Sequence, residues 1–138
     1  YLPDNYNDTM KVLEAFRPIF ADKNIGKTGQ NLKYDLSVLR WYEIEVKGPM
    51  FDTMIAHYLL EPDMKHGMDF LAAKYLDYEA ESIEKLIGKK GKGQITMRQV
   101  EKNRVVEYAC EDADVTWQLY QIFEPMLAKA GNTRLFQE

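Results

Sequence analysis

Two aspartates stand at positions where an amphipathic helix would normally carry a leucine. Residues 31–42 place Leu32, Leu36 and Leu39 on one helical stripe, and Asp35 falls on that stripe. Near the C-terminus, Asp112 shares a helical face with a run of mostly apolar residues, namely Val105, Tyr108, Ala109, Thr116, Leu119 and Phe123. Residues three, four and seven positions apart point the same way on a helix, so both carboxylates are predicted to face the interior.

A buried carboxylate is costly without a partner, and a metal ion is one of the few partners that make it favourable. Asp35 and Asp112 together therefore indicate a metal-dependent active site. Tyr108 lies one turn before Asp112 on the same face, where its hydroxyl is placed to orient a water for attack. The alternative is a pair of buried, hydrogen-bonded acids that serve as caps or as partners of arginine.

Other polar residues fit structural roles better. Asp52 precedes a predicted helix, so capping is its favoured role. Glu111 and Asp114 flank Asp112 but point elsewhere on the helical wheel, and both are predicted to be solvated. His57 and His66 have no cysteine or histidine companions at zinc spacing, so no zinc site is expected there.

Two further segments have a structural and a nucleic-acid interpretation. The amides of Gln30 and Asn31 directly precede the Asp35 helix, where they could reach a nucleotide or cap that helix. Residues 88–93 form a basic glycine-lysine loop, Gly88-Lys89-Lys90-Gly91-Lys92-Gly93. This loop is favoured as a solvated linker over a contact to a phosphate backbone.

Helices must position these side chains, because helical periodicity dominates the chain. Asp8 is a plausible cap for a first helix, and Pro18 predicts a kink or break in that helix near Arg17. Thr96 and Gln99 form a capping box that is predicted to open the longest helix. The remaining predicted elements are short strands at 24–30 and 46–51 and helices at 31–42, 52–61, 68–75 and 82–87.

Bulk composition places the chain among ordinary globular proteins. Its 138 residues are 46% hydrophobic and 12% aromatic, and the net charge of −4 argues against a sequence-blind DNA-coating protein. The single cysteine, Cys110, excludes an internal disulfide and fits a reducing compartment.

No leader or membrane-spanning run is apparent, so a cytoplasmic location is expected. The chain opens on Tyr1 and ends at Glu138 in a stretch typical of continuing helix, so an excised fragment is expected.

The motifs resemble those of a known family. Gln30-Asn31-Leu32-Lys33-Tyr34-Asp35 resembles the second exonuclease motif of bacterial family A DNA polymerases, the DNA polymerase I type. The segment from Tyr108 to Thr116 resembles their third motif in its tyrosine-bearing form, Y-x-x-x-D. Residues 51–54, residues 68–69 and the glycine-lysine loop agree with the family in order and spacing, so the resemblance covers nearly the whole chain.

The resemblance implies a proofreading 3′-5′ exonuclease with an α/β, ribonuclease H-like fold. Such domains remove mispaired nucleotides from 3′ ends of single-stranded or frayed DNA, using two divalent ions, magnesium or manganese. Asp112 and Asp35 then correspond to metal-binding acids, and Tyr108 to the residue that orients the attacking water. In the family, the residues at the positions that match Gln30, Asn31, Tyr34 and Lys65 contact DNA. Two ions near one phosphodiester can activate a water and stabilise the leaving oxygen.

The family's first motif, an Asp-x-Glu on the opening strand, has no match before Asp35. Residues 1–138 are therefore expected to be a partial exonuclease domain that lacks its N-terminal strands, is predominantly helical and binds metal weakly or not at all. The fragment alone is expected to be inactive and to self-associate through its exposed surfaces. A polymerase domain is expected downstream in the parent chain. The alternatives are a ribonuclease D-like exonuclease and a catalytically inactive structural module of a polymerase.

Overall fold

Seven α-helices and two short strands succeed one another along residues 5–137, the part of the chain that the computed structural model describes. A 3-10 turn at Met97–Gln99 lies between the fifth and the sixth helix. The elements are α1 (Tyr6–Ala21), β1 (Lys27–Gly29), α2 (Leu32–Trp41), β2 (Met50–Asp52), α3 (Thr53–Leu60), α4 (Met68–Leu76), α5 (Ile83–Ile87), α6 (Lys102–Lys129) and α7 (Thr133–Gln137). The predicted helices at 31–42, 52–61, 68–75 and 82–87 are thereby confirmed.

The two strands form a parallel pair, with Thr28 opposite Phe51 and Gly29 opposite Asp52. Parallel strands need a crossover, and α2 lies within the one that joins them. Both strands agree with the sequence, which predicts strands at 24–30 and 46–51. The chain is thus mostly helical with one small parallel sheet, as expected for a predominantly helical α/β protein.

A glycine allows the loop before β2 to pass close to the segment before β1. Gly48 has φ +95°, and a Cβ atom there would lie 2.9 Å from the carbonyl oxygens of both Lys23 and Ile25. Only glycine combines that left-handed conformation with so close an approach. The backbone N–H of Lys27 then donates to the carbonyl of Pro49 at 2.9 Å, which begins the pairing of the strands.

The core lies where α3 and α4 pack against α6. Phe123, Leu119 and Leu71 are each 0% exposed, and Val115 and Leu127 are each 2% exposed. Three α6 residues of this core, Val115, Leu119 and Phe123, recur at four-residue spacing, which places them on one face. The same face carries Asp112, so the buried stripe of α6 leads directly to the candidate site.

The start of α1 and its proline differ from the sequence-based prediction. Asn5 is the N-cap, with its side chain accepting from the backbone N–H of Asp8 at 2.8 Å, so Asp8 lies in the first turn. The helix continues through Pro18 to Ala21 without a break. Pro18 removes one N–H donor from the helix, but its own carbonyl accepts from the backbone N–H of Asp22 at 3.1 Å, so the last turn still closes.

The capping box forms, but it opens a different element from the one predicted. The backbone N–H of Thr96 donates to Gln99 Oε1 at 2.9 Å, and this box starts the 3-10 turn. The long α6 begins later, at Lys102, where the side chain of Glu101 accepts from the backbone N–H groups of Asn103 and Arg104. No helix within residues 5–137 has the length and apolar character that a membrane crossing requires.

Candidate active site

The two predicted aspartates line one open cleft of about 380 Å³ between the end of β1, the first turn of α2, the start of α4 and the middle of α6. Its walls are formed by Thr28, Gly29, Gln30, Asp35, Met68, Asp112, Ala113, Thr116 and Trp117. The sheet and the three helices bring together residues that are up to 89 positions apart in the chain (117 − 28). The convergence of Asp35 and Asp112 on a shared cleft agrees with the sequence analysis.

Asp35 is less buried than its helical stripe predicted. The residue is exposed, and α2 contains no buried residue at all. Its carboxylate is nevertheless partly withdrawn from water: desolvation, together with the negative charge of Asp52, raises the pKa of Asp35 above its ordinary value. The prediction of an interior position is therefore wrong for Asp35, which stands on the rim of the cleft.

Asp112 and Tyr108 lie one turn apart on α6, and both are half-buried. Desolvation raises the pKa of Asp112, although a hydrogen bond from the Tyr108 hydroxyl partly opposes that shift. Burial and the charge of Asp112 raise the pKa of Tyr108 to about 12. Tyr108 therefore stays protonated at neutral pH and donates its hydrogen toward Asp112, a geometry suited to fixing a carboxylate.

Asp69, in the first turn of α4, adds negative charge to this site. Its charge contributes to the raised pKa values of both Asp112 and Tyr108, so Asp69 lies close to both groups. The sequence alone predicts no separate role for Asp69. Its position in the first turn of a helix is equally typical of an acid that interacts with the helix dipole, so the sequence held no specific signal for it.

Trp117 is a second cleft residue that sequence analysis missed. Its side chain is 52% exposed and stacks on Tyr120, with ring centroids 5.2 Å apart. Tyr120 in turn meets Phe51 of β2 edge to face, at 4.8 Å between centroids. Trp117 lies five residues after Asp112, and that spacing alone gave no reason to place it in the cleft.

Asp52 fixes the starts of two helices at the edge of the cleft. It is buried, 7% exposed, and its Oδ1 accepts from the backbone N–H of Met54 at 2.9 Å as the N-cap of α3. The same carboxylate accepts from the backbone N–H groups of Asn31 at 3.0 Å and Leu32 at 2.7 Å, where α2 begins. The predicted capping role is confirmed, and Asp52 additionally orients the helix that carries Asp35.

The other predicted nucleic-acid residues differ in their surroundings. Gln30 lines the cleft, but its amide nitrogen donates to the carbonyl of His66 at 2.8 Å. Asn31 is in the left-handed conformation, φ 60°, and its side chain makes no capping bond. Tyr34 is 69% exposed, and Lys65 is exposed in the loop between α3 and α4. Both side chains are therefore accessible to a ligand, and all four roles stay predictions.

Glu111 is not the solvated residue that the helical wheel predicted. It is half-buried, and it accepts from the Tyr78 hydroxyl at 2.5 Å and from the backbone N–H of Glu81 at 2.9 Å. Glu111 therefore fastens the segment after α4 to α6, beside Asp112. Asp114 is exposed as predicted, with a hydrogen bond from Gln118 at 2.7 Å.

The donor set is too small for a complete metal centre. Within residues 5–137 no three histidine, cysteine, aspartate or glutamate side chains are grouped as metal ligands. Asp35 and Asp112 supply two desolvated carboxylates, which is chemistry that attracts a hard divalent ion but not a full ligand set. The described residues thus do not form a two-metal centre on their own.

Three comparisons relate the chain to known proteins. Residues 1–128 match a family model described as 3′-5′ exonuclease. The chain is 36% identical to DNA polymerase I of Rhizobium leguminosarum, over 99% of the chain and 13% of that protein. It is 39% identical to DNA polymerase I of Pseudomonas aeruginosa, over 83% of the chain and 13% of that protein.

The fold is shared with a solved structure. Brucella melitensis NrnC superimposes with a TM-score of 0.68 and 23% sequence identity, over 87% of this chain and 55% of that chain. The overlap is consistent with a ribonuclease H-like fold. The chain corresponds to about an eighth of the length of the curated relatives described above.

Proposed function

Because this chain belongs to the 3′-5′ exonuclease family of the DNA polymerase I proteins, we propose that it is part of the proofreading exonuclease of a bacterial DNA polymerase I. Its substrate would be the 3′-terminal phosphodiester of single-stranded or mispaired DNA. The observation that carries this proposal is the shared cleft of Asp35 and Asp112, beside Tyr108 on α6.

The roles of the side chains follow from their chemistry. Asp35 and Asp112 would contribute to a divalent-metal site that further acids of the parent protein complete. When bound, magnesium or manganese ions would neutralise charge on the phosphodiester and activate a water. The Tyr108 hydroxyl holds the carboxylate of Asp112 in one orientation. Asp69 adds charge that favours a cation in the cleft.

Selectivity for frayed ends fits an open cleft. A mispaired terminus costs less to separate from its template than a paired one, so it reaches a single-strand site more readily. The exposed side chains of Tyr34 and Lys65 would contact such a strand, the first through its ring and the second through phosphate. With half of a metal centre, residues 1–138 alone are proposed to be inactive.

A ribonuclease D-like exonuclease is the other candidate with the same fold. The likeness to NrnC supports the fold shared by both candidates and does not separate them. The match of residues 1–128 to the family model and the identity to DNA polymerase I proteins favour the polymerase. A catalytically inactive structural module is disfavoured by the retention of Asp112, whose desolvation costs stability, in the same cleft as Asp35.

The proposal is tested in the parent polymerase. Release of mononucleotides from a labelled single-stranded 3′ end would be measured with and without magnesium. Asp112→Ala should lower the rate by roughly 10²–10³-fold, as expected for loss of a group that stabilises the transition state. Asp114→Ala is the matched control, because Asp114 is exposed on the same helix and should leave the rate unchanged.

Two results would contradict the assignment. Equal rates for the parent and for Asp112→Ala would remove Asp112 from the site. Faster release from an RNA 3′ end than from a DNA 3′ end would favour the ribonuclease D-like alternative.

Tyr108→Phe should keep binding and lower the turnover number, because the ring remains while the hydrogen bond to Asp112 is lost.

A further inference from the structure

A chain of four polar side chains crosses the interior beside the cleft. His57, in α3, is 0% exposed, and its Nδ1 lies 2.7 Å from Nδ1 of His66. Its Nε2 lies 3.1 Å from the hydroxyl oxygen of Tyr75 in α4. That hydroxyl donates to Glu61 Oε1 at 3.0 Å. Every polar atom of the buried imidazole therefore has a partner, as burial requires.

The partners determine where the hydrogens lie. A tyrosine hydroxyl has one hydrogen, and in Tyr75 it is directed to Glu61. His57 must therefore carry its hydrogen on Nε2 and donate it to the Tyr75 oxygen. Its Nδ1 is then an acceptor, and His66 must donate from its own Nδ1. This assignment follows from the hydrogen-bond network, which is how imidazole tautomers are established.

The network has one place for an additional proton. A proton on Nε2 of His66 leaves all three hydrogen bonds intact and strengthens the donation from Nδ1. A proton on Nδ1 of His57 would instead put two hydrogens between nitrogens that are 2.7 Å apart. Desolvation, followed by the nearby His66, lowers the pKa of His57, which agrees with a neutral His57 ring.

The groups that contact the pair come from α3, α4 and α6. Glu61, at the end of α3, and Lys74, on α4, are the charged groups that act on His57, and they form an ion pair with each other at 2.5 Å. Tyr58 contacts the ring of His66 at 5.2 Å between centroids. From α6 the ring of Phe123 faces His57, with centroids 5.5 Å apart. Glu61 is thus paired with Lys74, and its charge acts on the pKa of His57 in the opposite direction to desolvation.

His66 is connected to the wall of the cleft. Its backbone carbonyl accepts from the side-chain amide of Gln30 at 2.8 Å, and Gln30 lines the cleft. The preceding residue, Lys65, is exposed. The histidine pair therefore holds the loop that carries Lys65 against the residue that leads into α2.

We propose that the His57–His66 pair is a proton-dependent binding site for the phosphodiester backbone of single-stranded nucleic acid, a role that rests on the proposed function of the cleft. One proton taken up by the pair creates a cation on His66 beside Lys65 while Gln30 keeps its position. The added positive charge strengthens the hold on the phosphodiester backbone. His57 acts through His66 and touches no ligand itself.

Binding is measured without catalysis, so the test does not need a complete metal centre. A fluorescein-labelled oligothymidylate is titrated with this chain in EDTA at constant ionic strength, between about pH 5.5 and 8.5, where histidine changes charge. Thymine does not ionise in that range. The affinity should rise by about fivefold toward low pH, the factor for one further charge pair a few ångströms apart in water.

Two variants separate the pair from other titrating groups. His66→Gln cannot gain a proton, so its affinity should lose the rise toward low pH. Lys65→Met should bind more weakly at every pH but keep that rise. Circular dichroism of both variants checks that the helices are intact. A rise that persists in His66→Gln, or its absence in the unmodified chain, overturns the proposal and leaves the proposed function standing.

The tautomers are tested independently by side-chain ¹⁵N NMR of the chain without nucleic acid. At neutral pH His57 should carry its hydrogen on Nε2, and on acidification His66 should be the first to gain a second one. A hydrogen on Nδ1 of His57 overturns the proposal whatever the binding shows. A chain that binds no oligonucleotide at any pH overturns this proposal, whereas the proposed function is decided by the activity of the parent polymerase.

Discussion

Single side chains decide the electrostatics of the cleft. Asp112 lies on the same face of α6 as the buried core, and desolvation raises its pKa. A carboxylate in that environment is ionised at neutral pH only against the cost of its burial. Residues that lower stability in this way are typical of sites that await a ligand.

Replacing Asp112 by asparagine should therefore stabilise the chain at neutral pH. The folded-state pKa of Asp112 lies above its unfolded value, so the folded chain binds protons more tightly and gains stability as pH falls. Asparagine resembles the protonated form at every pH. We expect Asp112→Asn to raise the midpoint of thermal unfolding by about 2–5 °C at pH 7. Below the pKa of an aspartate in the unfolded chain, about 3.9, we expect no change in the midpoint.

The thermal measurement is made by circular dichroism. Asp114→Asn serves as the control on the same helix, because its exposed side chain should give no shift. Removal of the charge at Asp112 should also lower the pKa of Tyr108 from about 12, which absorbance of tyrosinate detects. A lower midpoint for Asp112→Asn at pH 7 would show that the carboxylate stabilises the fold.

His57 makes the stability of the fold depend on pH in the opposite direction from Asp112. Burial lowers its pKa in the folded chain, whereas the unfolded chain takes up a proton near pH 6.5. The unfolded state thus binds more protons between these values, and stability should fall as the pH falls through that range. For one proton the slope is at most about 1.4 kcal/mol per pH unit.

Urea unfolding at about pH 7 and pH 5 tests this slope. His57→Phe removes the titrating group and keeps an aromatic ring in the core, so its stability should depend less on pH even if it is lower overall. His66→Gln keeps the buried imidazole and should retain the contribution of His57. A slope that is equal in His57→Phe and the unmodified chain would contradict the assignment.

At the scale of elements, one carboxylate connects two helices. Asp52 accepts backbone N–H groups from the starts of both α2 and α3. The first N–H groups of a helix have no partner within it, so an acceptor there is stabilising. A shared acceptor also fixes the angle at which α2 leaves the sheet and hence the position of Asp35.

Asp52→Ala should destabilise the chain by about 3 kcal/mol, because a buried cap and hydrogen bonds to a charged group are lost together. The free energy of unfolding in urea measures the loss. Asp63→Ala, at an exposed position after α3, should change stability by less than about 0.5 kcal/mol. A loss below about 1 kcal/mol for Asp52→Ala would mean that water replaces the carboxylate without difficulty.

Element types were predictable because their signals are local. The spacing of apolar residues predicted α2, α3 and α4, and the cap Asp52 marked where α3 begins. The exact start of α6 was not predictable from the capping box at Thr96, because such a box satisfies one 3-10 turn as well as a long helix. Pro18 did not end α1, because its carbonyl still accepts from the backbone N–H of Asp22 and closes the last turn.

Site geometry was only partly predictable, because periodicity tells which residues share a face but not what covers that face. On α6 the face meets α3 and α4, so Asp112 is half-buried as the stripe suggested. On α2 no described residue is buried, and Asp35 is exposed. The contributions of Asp69 and Trp117 depend on how α4, α6 and the sheet pack together, which no single segment of sequence records.

At the scale of the whole molecule, much apolar surface meets solvent. Trp41 is 86% exposed, Phe16 49% and Ile19 47%. Among the described residues the sheet has two strands, so each strand has one edge without a strand partner. Exposed edges and apolar faces of this kind favour association with another chain.

We expect the isolated chain to self-associate as its concentration rises. Sedimentation velocity over a hundredfold concentration range should show a growing fraction of dimer or larger species, and added salt should not dissociate them, because the contacts are apolar. Phe16→Glu should reduce association, whereas Glu14→Gln, a surface change on the same helix, should not. A single monomeric species at the highest concentration would contradict the expectation.

The positions of the two indole rings determine what optical spectroscopy can report about this protein. Trp41 and Trp117 are 86% and 52% exposed, so both emit from largely aqueous surroundings in the folded chain. Intrinsic emission should therefore shift little when the chain denatures. The same property makes Trp117 a built-in reporter of the cleft, since an occupant would change its emission, and Trp41→Phe would isolate that signal.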